Sequence, residues 1–201
     1  SGAVTLRQAI IWLALQLGIG LVILLQLSPV AIGFGSASLL LVGTYPLMKR
    51  ITWWPQFFLG LTFNWGIPLG AAATGTLSAA TFCLYVAAVA WTLVYDTIYA
   101  HQDKQDDARI GVKSTALLFG AQSRRVLSAF AIFLGVGLLL TGWLSALGWG
   151  FYLGLGAAAL QMIWQLVTWQ PDMPEDCLRK FRSNRDFGLL VLAAILLGKL
   201  T

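Results

Sequence analysis

Seven apolar stretches divided by short loops constrain this chain more than any other feature. They cover residues 9–27, 30–47, 57–73, 77–100, 126–147, 150–169 and 187–200. A helix crossing the hydrocarbon core needs about 20 predominantly apolar residues, and most of these stretches meet that length. The third and seventh are short for a full span, and Pro68 inside the third predicts a kink that neighbouring helices must repair. With only 10% of its 201 residues charged and 58% hydrophobic, the chain cannot cover a globule with polar groups. A soluble domain carries about 25% charged residues. The expected fold class is therefore an all-α, polytopic transmembrane helical bundle, with residues 1–201 forming one domain.

The loops alternate in charge. Arg7, Lys49, Arg50, Lys104, Arg109, Lys113, Arg124, Arg125, Arg179, Lys180, Arg182 and Arg185 collect on one side, and Lys199 stands alone on the other. By the positive-inside rule the basic side faces the cytoplasm or the mitochondrial matrix, so the net charge of +5 reports topology and not nucleic-acid binding. The implied setting is a bacterial cytoplasmic membrane or the mitochondrial inner membrane. All eight acidic residues also lie on the basic side, which the rule does not require. Polar chemistry is expected at that face.

Other features read as structural. Gly66-xxx-Gly70 and Gly150-xxx-Gly154 suggest close helix packing, and Trp53, Trp54, Trp149 and Trp169 suggest an interfacial belt. Cys83 and Cys177 form no CxxC pair and read as ordinary thiols. The chain opens on Ser1 with no signal-peptide pattern before its first span.

Chemistry concentrates between Trp91 and Thr115. If the fourth span continues as a helix through this segment, Asp96, Tyr99 and Asp103 share a face at i, i+3 and i+7, and Asp103 meets Asp107 at i+4. A column of like charges entering a membrane repels itself and loses solvation unless a divalent cation neutralises it. Oxygen-only ligands favour Mg²⁺, which bridges carboxylates to a substrate phosphate and keeps several waters. Lys104, Arg109 and Lys113 stand ready to hold the remaining phosphate charge. A merely solvated acidic loop is the competing reading. Tyr99 suits either phosphate or acceptor positioning, or an interfacial tyrosine, and His101 reads as a loop residue turned away from Asp103.

The run Tyr95-Asp-Thr-Ile-Tyr-Ala-His-Gln-Asp-Lys-Gln-Asp-Asp107, continuing to Ile110-Gly-Val-Lys-Ser-Thr-Ala116, resembles the second aspartate-rich motif of the 4-hydroxybenzoate polyprenyltransferases in the UbiA superfamily. Tyr45–Gln56, Leu59-Gly60 through Gly66, Asp176–Asn184 and the opening Ser-Gly-Ala-Val-Thr are similar to the same family. The resemblance implies a nine-helix fold around a lipid-accessible cavity, of which seven helices are present here. It implies transfer of a polyprenyl group from polyprenyl diphosphate to the ring of 4-hydroxybenzoate, an early step of ubiquinone synthesis, with Mg²⁺ held by two aspartate-rich motifs. The DxxxD element falls on Asp103 and Asp107, with Asp96 one level deeper, and Arg50 matches a basic residue of the family's active site. The first motif is absent, so the expectation is an N-terminally truncated chain, inactive alone.

Two other classes fit the residues less well. A CDP-alcohol phosphotransferase would need a Gly after its first Asp, where this chain has Thr97, and further acids after Asp107-Ala-Arg109. A transporter with an acidic cation site would place acids near the midplane of two repeated halves, and no such repeat is visible.

Overall fold

The computed structural model describes residues 3–201, and no β-strand occurs among them. The first two apolar stretches form α1 (Leu6–Leu24) and α2 (Pro29–Ile51). Thr5 opens α1 in a reciprocal capping box with Gln8, and Ser28 caps α2 just before Pro29, whose missing N–H costs nothing in a first turn.

The third stretch is broken into α3 (Pro55–Phe63) and α4 (Gly66–Thr74). The break falls at Asn64-Trp65 and not at Pro68, where a kink was expected. A proline ring clashes with the carbonyl four residues before it, which here is that of Asn64. The chain resolves the conflict by starting a new helix at Gly66, which puts Pro68 in a first turn, and the Asn64 carbonyl accepts instead from the Ile67 amide at 2.9 Å.

The fourth stretch is α5 (Ala79–Ala100), and the acidic segment beyond it forms a separate short helix, α6 (Lys104–Ile110). Gly111, at φ +73°, ends α6 in the left-handed conformation that glycine adopts without steric cost. Then follow α7 (Thr115–Phe119), a 3₁₀ turn, α8 (Ser123–Leu144), α9 (Trp149–Thr168) and α10 (Pro174–Leu200). The seventh apolar stretch is only the second half of α10, which extends it by more than three turns of charged sequence.

Among the described residues, five helices or helix pairs are long and apolar enough to cross a membrane: α1, α2, α5, α7–α8 and α9. The halves α3 and α4 are too short singly, and α10 carries too many charges in its first half. The core lies where α5, α8, α9 and α10 meet, around Val94, Ile98, Leu134, Leu138, Leu155 and Met162. Helices α3 and α4 pack on the other side of α5, and α2 packs in turn on α3 and α4. Helix α5 is the most buried of these, whereas no residue of α1 is buried and only Leu24 at its end packs inward, beside Gly35 of α2.

The alternation of loops is visible as two ends. At the charged end Lys113 meets the last turn of α2, and Arg124 meets the last residues of α9. At the other end Ser28 Oγ donates to the Ala72 carbonyl, and the Gly148 amide donates to the carbonyl of Gly198.

Two packing expectations divide. A Cβ on Gly150 or Gly154 would lie 3.0 Å from the Leu197 carbonyl oxygen or 2.6 Å from Ala194 Cβ, so this pair does permit close approach of α9 to α10. Gly66 and Gly70 have open space where a Cβ would stand, so their pair serves no such contact. Trp53, Trp54 and Trp149 are exposed near helix ends as a belt requires, but Trp169 is fully buried. Its indole Nε1 donates to Cys177 Sγ at 3.3 Å, which makes it a plug between α9 and α10.

Candidate active site at the charged end of α5

Helix α5 ends with a change of hydrogen bonding. The amides of His101, Gln102 and Lys104 bond three residues back, to Ile98, Tyr99 and His101, instead of four. This tight turn separates α5 from α6, so the carboxylates do not form one straight column. Asp103 sits at the N-cap position of α6, yet its side chain makes no capping bond and its carboxylate is exposed. The Asp107 amide donates to the Asp103 carbonyl at 2.8 Å, so these two acids are one helical turn apart as the i, i+4 spacing requires. Asp106 is drawn off into an exposed ion pair with Arg109 at 3.2 Å, which removes that arginine from the set of free cations.

Asp96 remains on α5 and is half-buried. It interacts electrostatically with Lys49 and Tyr45 of α2. Lys49 also acts electrostatically on Asp107. Partial burial pushes the Asp107 carboxyl above the usual carboxylate range, Asp103 and Asp106 push the same way, and Lys49 opposes them. One lysine thus serves acids on both sides of the turn. Arg50, the basic residue singled out by the motif likeness, and Lys49 are both exposed on the same last turn of α2. Only the long-range layering of α2 over α3 and α4 brings Lys49 within electrostatic reach of α5.

Lys113 is engaged in structure. Its Nζ donates to the Ile51 carbonyl at 3.0 Å, its amide donates to the Lys49 carbonyl at 3.0 Å, and its ammonium lies 5.8 Å from the Trp53 ring. It therefore satisfies the end of α2, whose last carbonyls have no intrahelical partners. The segment is further pinned by Thr97 and Thr115, whose hydroxyls are 2.6 Å apart, and by buried Gln56, whose Oε1 accepts from the Thr115 amide at 3.0 Å. These bonds fix the acidic turn against α2, α3 and α5. Lys104 opens α6 and is half-buried.

Tyr99 packs on Phe181 of α10, ring centroids 4.6 Å apart. Tyr95 and Trp91 continue the same stripe down α5, 5.6 Å from each other, and Tyr95 also meets Phe181 at 5.8 Å. Thr92 Oγ1 donates to the Tyr95 hydroxyl, and Asn64 Nδ2 donates in turn to Thr92 Oγ1 at 2.8 Å. The break between α3 and α4 thereby supplies the polar anchor for an aromatic wall below the acids.

His101 lies in the turn between α5 and α6, as expected of a loop residue, but it is not solvated. It is buried, its Nδ1 lies 2.9 Å from the Thr97 carbonyl, and its ring packs edge-on against Trp169 at 4.8 Å. Burial lowers its pKa. The helical wheel did point it away from Asp103, but the surface it faces is the α9–α10 turn and not water.

The donor set fits a hard divalent cation as two carboxylates one turn apart, completed by phosphate oxygens and water. Among the described residues no three His, Cys, Asp or Glu side chains converge as a preformed metal cluster. Asp103 and Asp107 are the pair that would hold such an ion, with Asp96 half-buried further back along α5.

Helical membrane bundle and acidic turn together define a membrane-embedded protein with an anionic site at one end of its core. A model of the UbiA prenyltransferase family matches residues 1–194, and the chain belongs to that family. It is 50% identical over 99% of its length to the mitochondrial 4-hydroxybenzoate polyprenyltransferase of Arabidopsis thaliana, covering 49% of that protein. It is 47% identical over its full length to the protein of the same name from Homo sapiens, covering 54% of it. The chain thus spans about half the length of the curated relatives it matches. The apo structure of a UbiA homolog from Aeropyrum pernix K1 matches 97% of this chain and 74% of its own with a TM-score of 0.80. At 22% identity that likeness speaks to the fold.

Proposed function

We propose that the protein transfers a polyprenyl group from polyprenyl diphosphate to the aromatic ring of 4-hydroxybenzoate, in a Mg²⁺-dependent reaction at the charged end of the bundle. The observation that carries this reading is the pairing of Asp103 and Asp107 one helical turn apart, with Lys49 acting electrostatically on Asp107 and Asp96. The names of relatives about half identical to the chain support the choice of donor and acceptor.

Asp103 and Asp107 would hold the cation, and Lys49 offsets part of the negative charge of the diphosphate. The bound ion would stabilise the charge that the diphosphate gains as the allylic C–O bond breaks. The bonding pair leaves with the diphosphate. The ring carbon ortho to the phenol hydroxyl then bonds the allylic carbon, and its proton passes to the released diphosphate. Trp91, Tyr95 and Tyr99 offer aromatic faces to the developing allylic cation and keep water from it. Arg50, on the exposed side of the α2 terminus, orients the acceptor carboxylate or the diphosphate. The word mitochondrial in the relatives' names supports the inner mitochondrial membrane, with the charged end towards the matrix.

The test is prenylation of 4-hydroxybenzoate by membranes carrying the full-length protein, with a polyprenyl diphosphate and Mg²⁺. Asp103→Ala should abolish turnover, and retention of more than about a tenth of it would count against the metal assignment. Lys49→Gln should raise KM for the diphosphate about tenfold, the loss expected for one charge-assisted phosphate contact.

A further inference from the structure

Helices α8 and α9 each pack closely on one partner, α8 on α5 and α9 on α10, but meet each other far less. Between them runs a crevice of about 580 Å³. Its floor is core: Leu134, Leu138, Leu155, Met162 and Phe187. Its rim is exposed, with Ile132 at 69% and Val167 at 66%. From Ser128 to Leu139 it follows α8 for about 17 Å, close to the ~15 Å depth of one leaflet's hydrocarbon.

Glycines distinguish this face from the packed ones. On α8, a Cβ at Gly137 would lie 2.7 Å from Ala87 Cβ, whereas Gly135 has open space. On α9, a Cβ at Gly154 would lie 2.6 Å from Ala194 Cβ, whereas Gly156 has open space. The inner glycines let helices touch. The outer two leave room that no part of this chain fills.

The charged end of the crevice is bridged by a cation. Arg124 reaches from α8 across to α9, donating to the carbonyls of Val167 (3.3 Å) and Trp169. Exposed Arg125 stands beside it, and Ser128, which lines the crevice, lies one turn below.

We propose that this crevice is a binding site for one anionic glycerophospholipid, with an acyl chain laid between α8 and α9 and its phosphate at Arg124 and Arg125. Charge complementarity chooses an anionic headgroup, and the apolar floor within the membrane-spanning part chooses the chain. The site is separate from the acidic turn, which lies beyond the end of α5.

Native mass spectrometry of the full-length protein, given equal phosphatidylglycerol and phosphatidylcholine of the same acyl composition, tests it. One phosphatidylglycerol should be retained in preference. Gly135→Leu with Gly156→Leu, which fills the crevice, should abolish retention. Arg125→Gln, at an exposed position, should lower the preference about fivefold, the effect of one basic residue at a lipid surface. Equal retention of the two lipids, unchanged retention in the filled variant, or displacement of the lipid by a polyprenyl diphosphate would each overturn the proposal. Should the filled variant not fold, the Arg125→Gln result decides alone.

Discussion

The indole Nε1 of Trp91 donates a 2.8 Å hydrogen bond to Oδ1 of Asn184, tying the middle of α5 to α10. Asn184 in turn donates through Nδ2 to Gln165 Oε1 (3.1 Å) and the Lys180 carbonyl (3.0 Å). Gly188 leaves room for the indole, since a Cβ there would stand 3.1 Å from Trp91 Cη2. Phe187 lies against the same ring at 5.0 Å. Trp91 is thereby held in one orientation at the base of the aromatic wall.

Asn184→Leu should leave the indole N–H without a partner where no water replaces it, at a cost of about 1–3 kcal/mol. Trp91→Phe removes the same bond from the other side. Unfolding in detergent micelles of both single variants and the double variant should give a coupling of about 0.5–2 kcal/mol. Strict additivity would show that the bond contributes nothing.

The raised pKa of Asp107 has a consequence for stability. A carboxyl whose folded value lies above its unfolded value opposes folding when ionised. That opposition is relieved as pH falls through the folded value. Without divalent cation, the protein should become more stable on mild acidification from neutral pH, and Asp107→Asn should flatten that part of the curve. The same protonation competes with metal, so Mg²⁺ affinity should fall over the same pH range in the unmodified protein. A pH-independent Mg²⁺ affinity would argue against Asp107 as a ligand.

Asp176 behaves in the opposite sense. Burial would raise its pKa, but the Gln170 amide at 2.8 Å, Arg179 and Lys180 together hold it below the usual range. Its contribution to stability is present above the unfolded value near 3.9 and is lost as pH falls through the depressed folded value. Thermal unfolding between pH 5 and 3 should therefore drop less steeply in Asp176→Asn than in the unmodified protein.

Lys180 is the buried partner in that group. It is 0% exposed, lies 3.8 Å from the Trp164 ring centroid and donates to Thr168 Oγ1. Lys180→Met keeps the stem and removes the charge, leaving Asp176 to Arg179. A loss of about 2–4 kcal/mol is expected, of which about 0.5–2 kcal/mol should disappear in a Trp164→Leu background.

The glycine pairs offer a direct contrast. Gly154→Ala forces a methyl against Ala194 and should destabilise by about 1–3 kcal/mol. Gly70→Ala, inside α4 with open space around it, should be neutral or stabilising by up to about 1 kcal/mol. Equal effects in calorimetry would remove the distinction drawn between the two faces.

Much of this protein was legible from local patterning. Apolar runs of bilayer length identified the spans, because a backbone in hydrocarbon must satisfy its own hydrogen bonds and a helix does so within one segment. Charge alternation identified which loops share an end. The i, i+4 spacing of Asp103 and Asp107 survived, because those two acids lie within a single turn of helix.

What only tertiary structure decided concerns groups that meet across helices. The turn at His101 is set where the ring is buried against Trp169 of a distant connection. Lys49 and Lys113 are both loop-side lysines in the sequence, but one acts electrostatically on two carboxylates while the other caps the end of α2. Gly70 and Gly154 look alike in their motifs, and their difference depends on whether a neighbouring helix comes close enough to touch. Sequence periodicity reports which face of a helix a residue occupies. It carries no information on what stands opposite, because that depends on how separate helices dock.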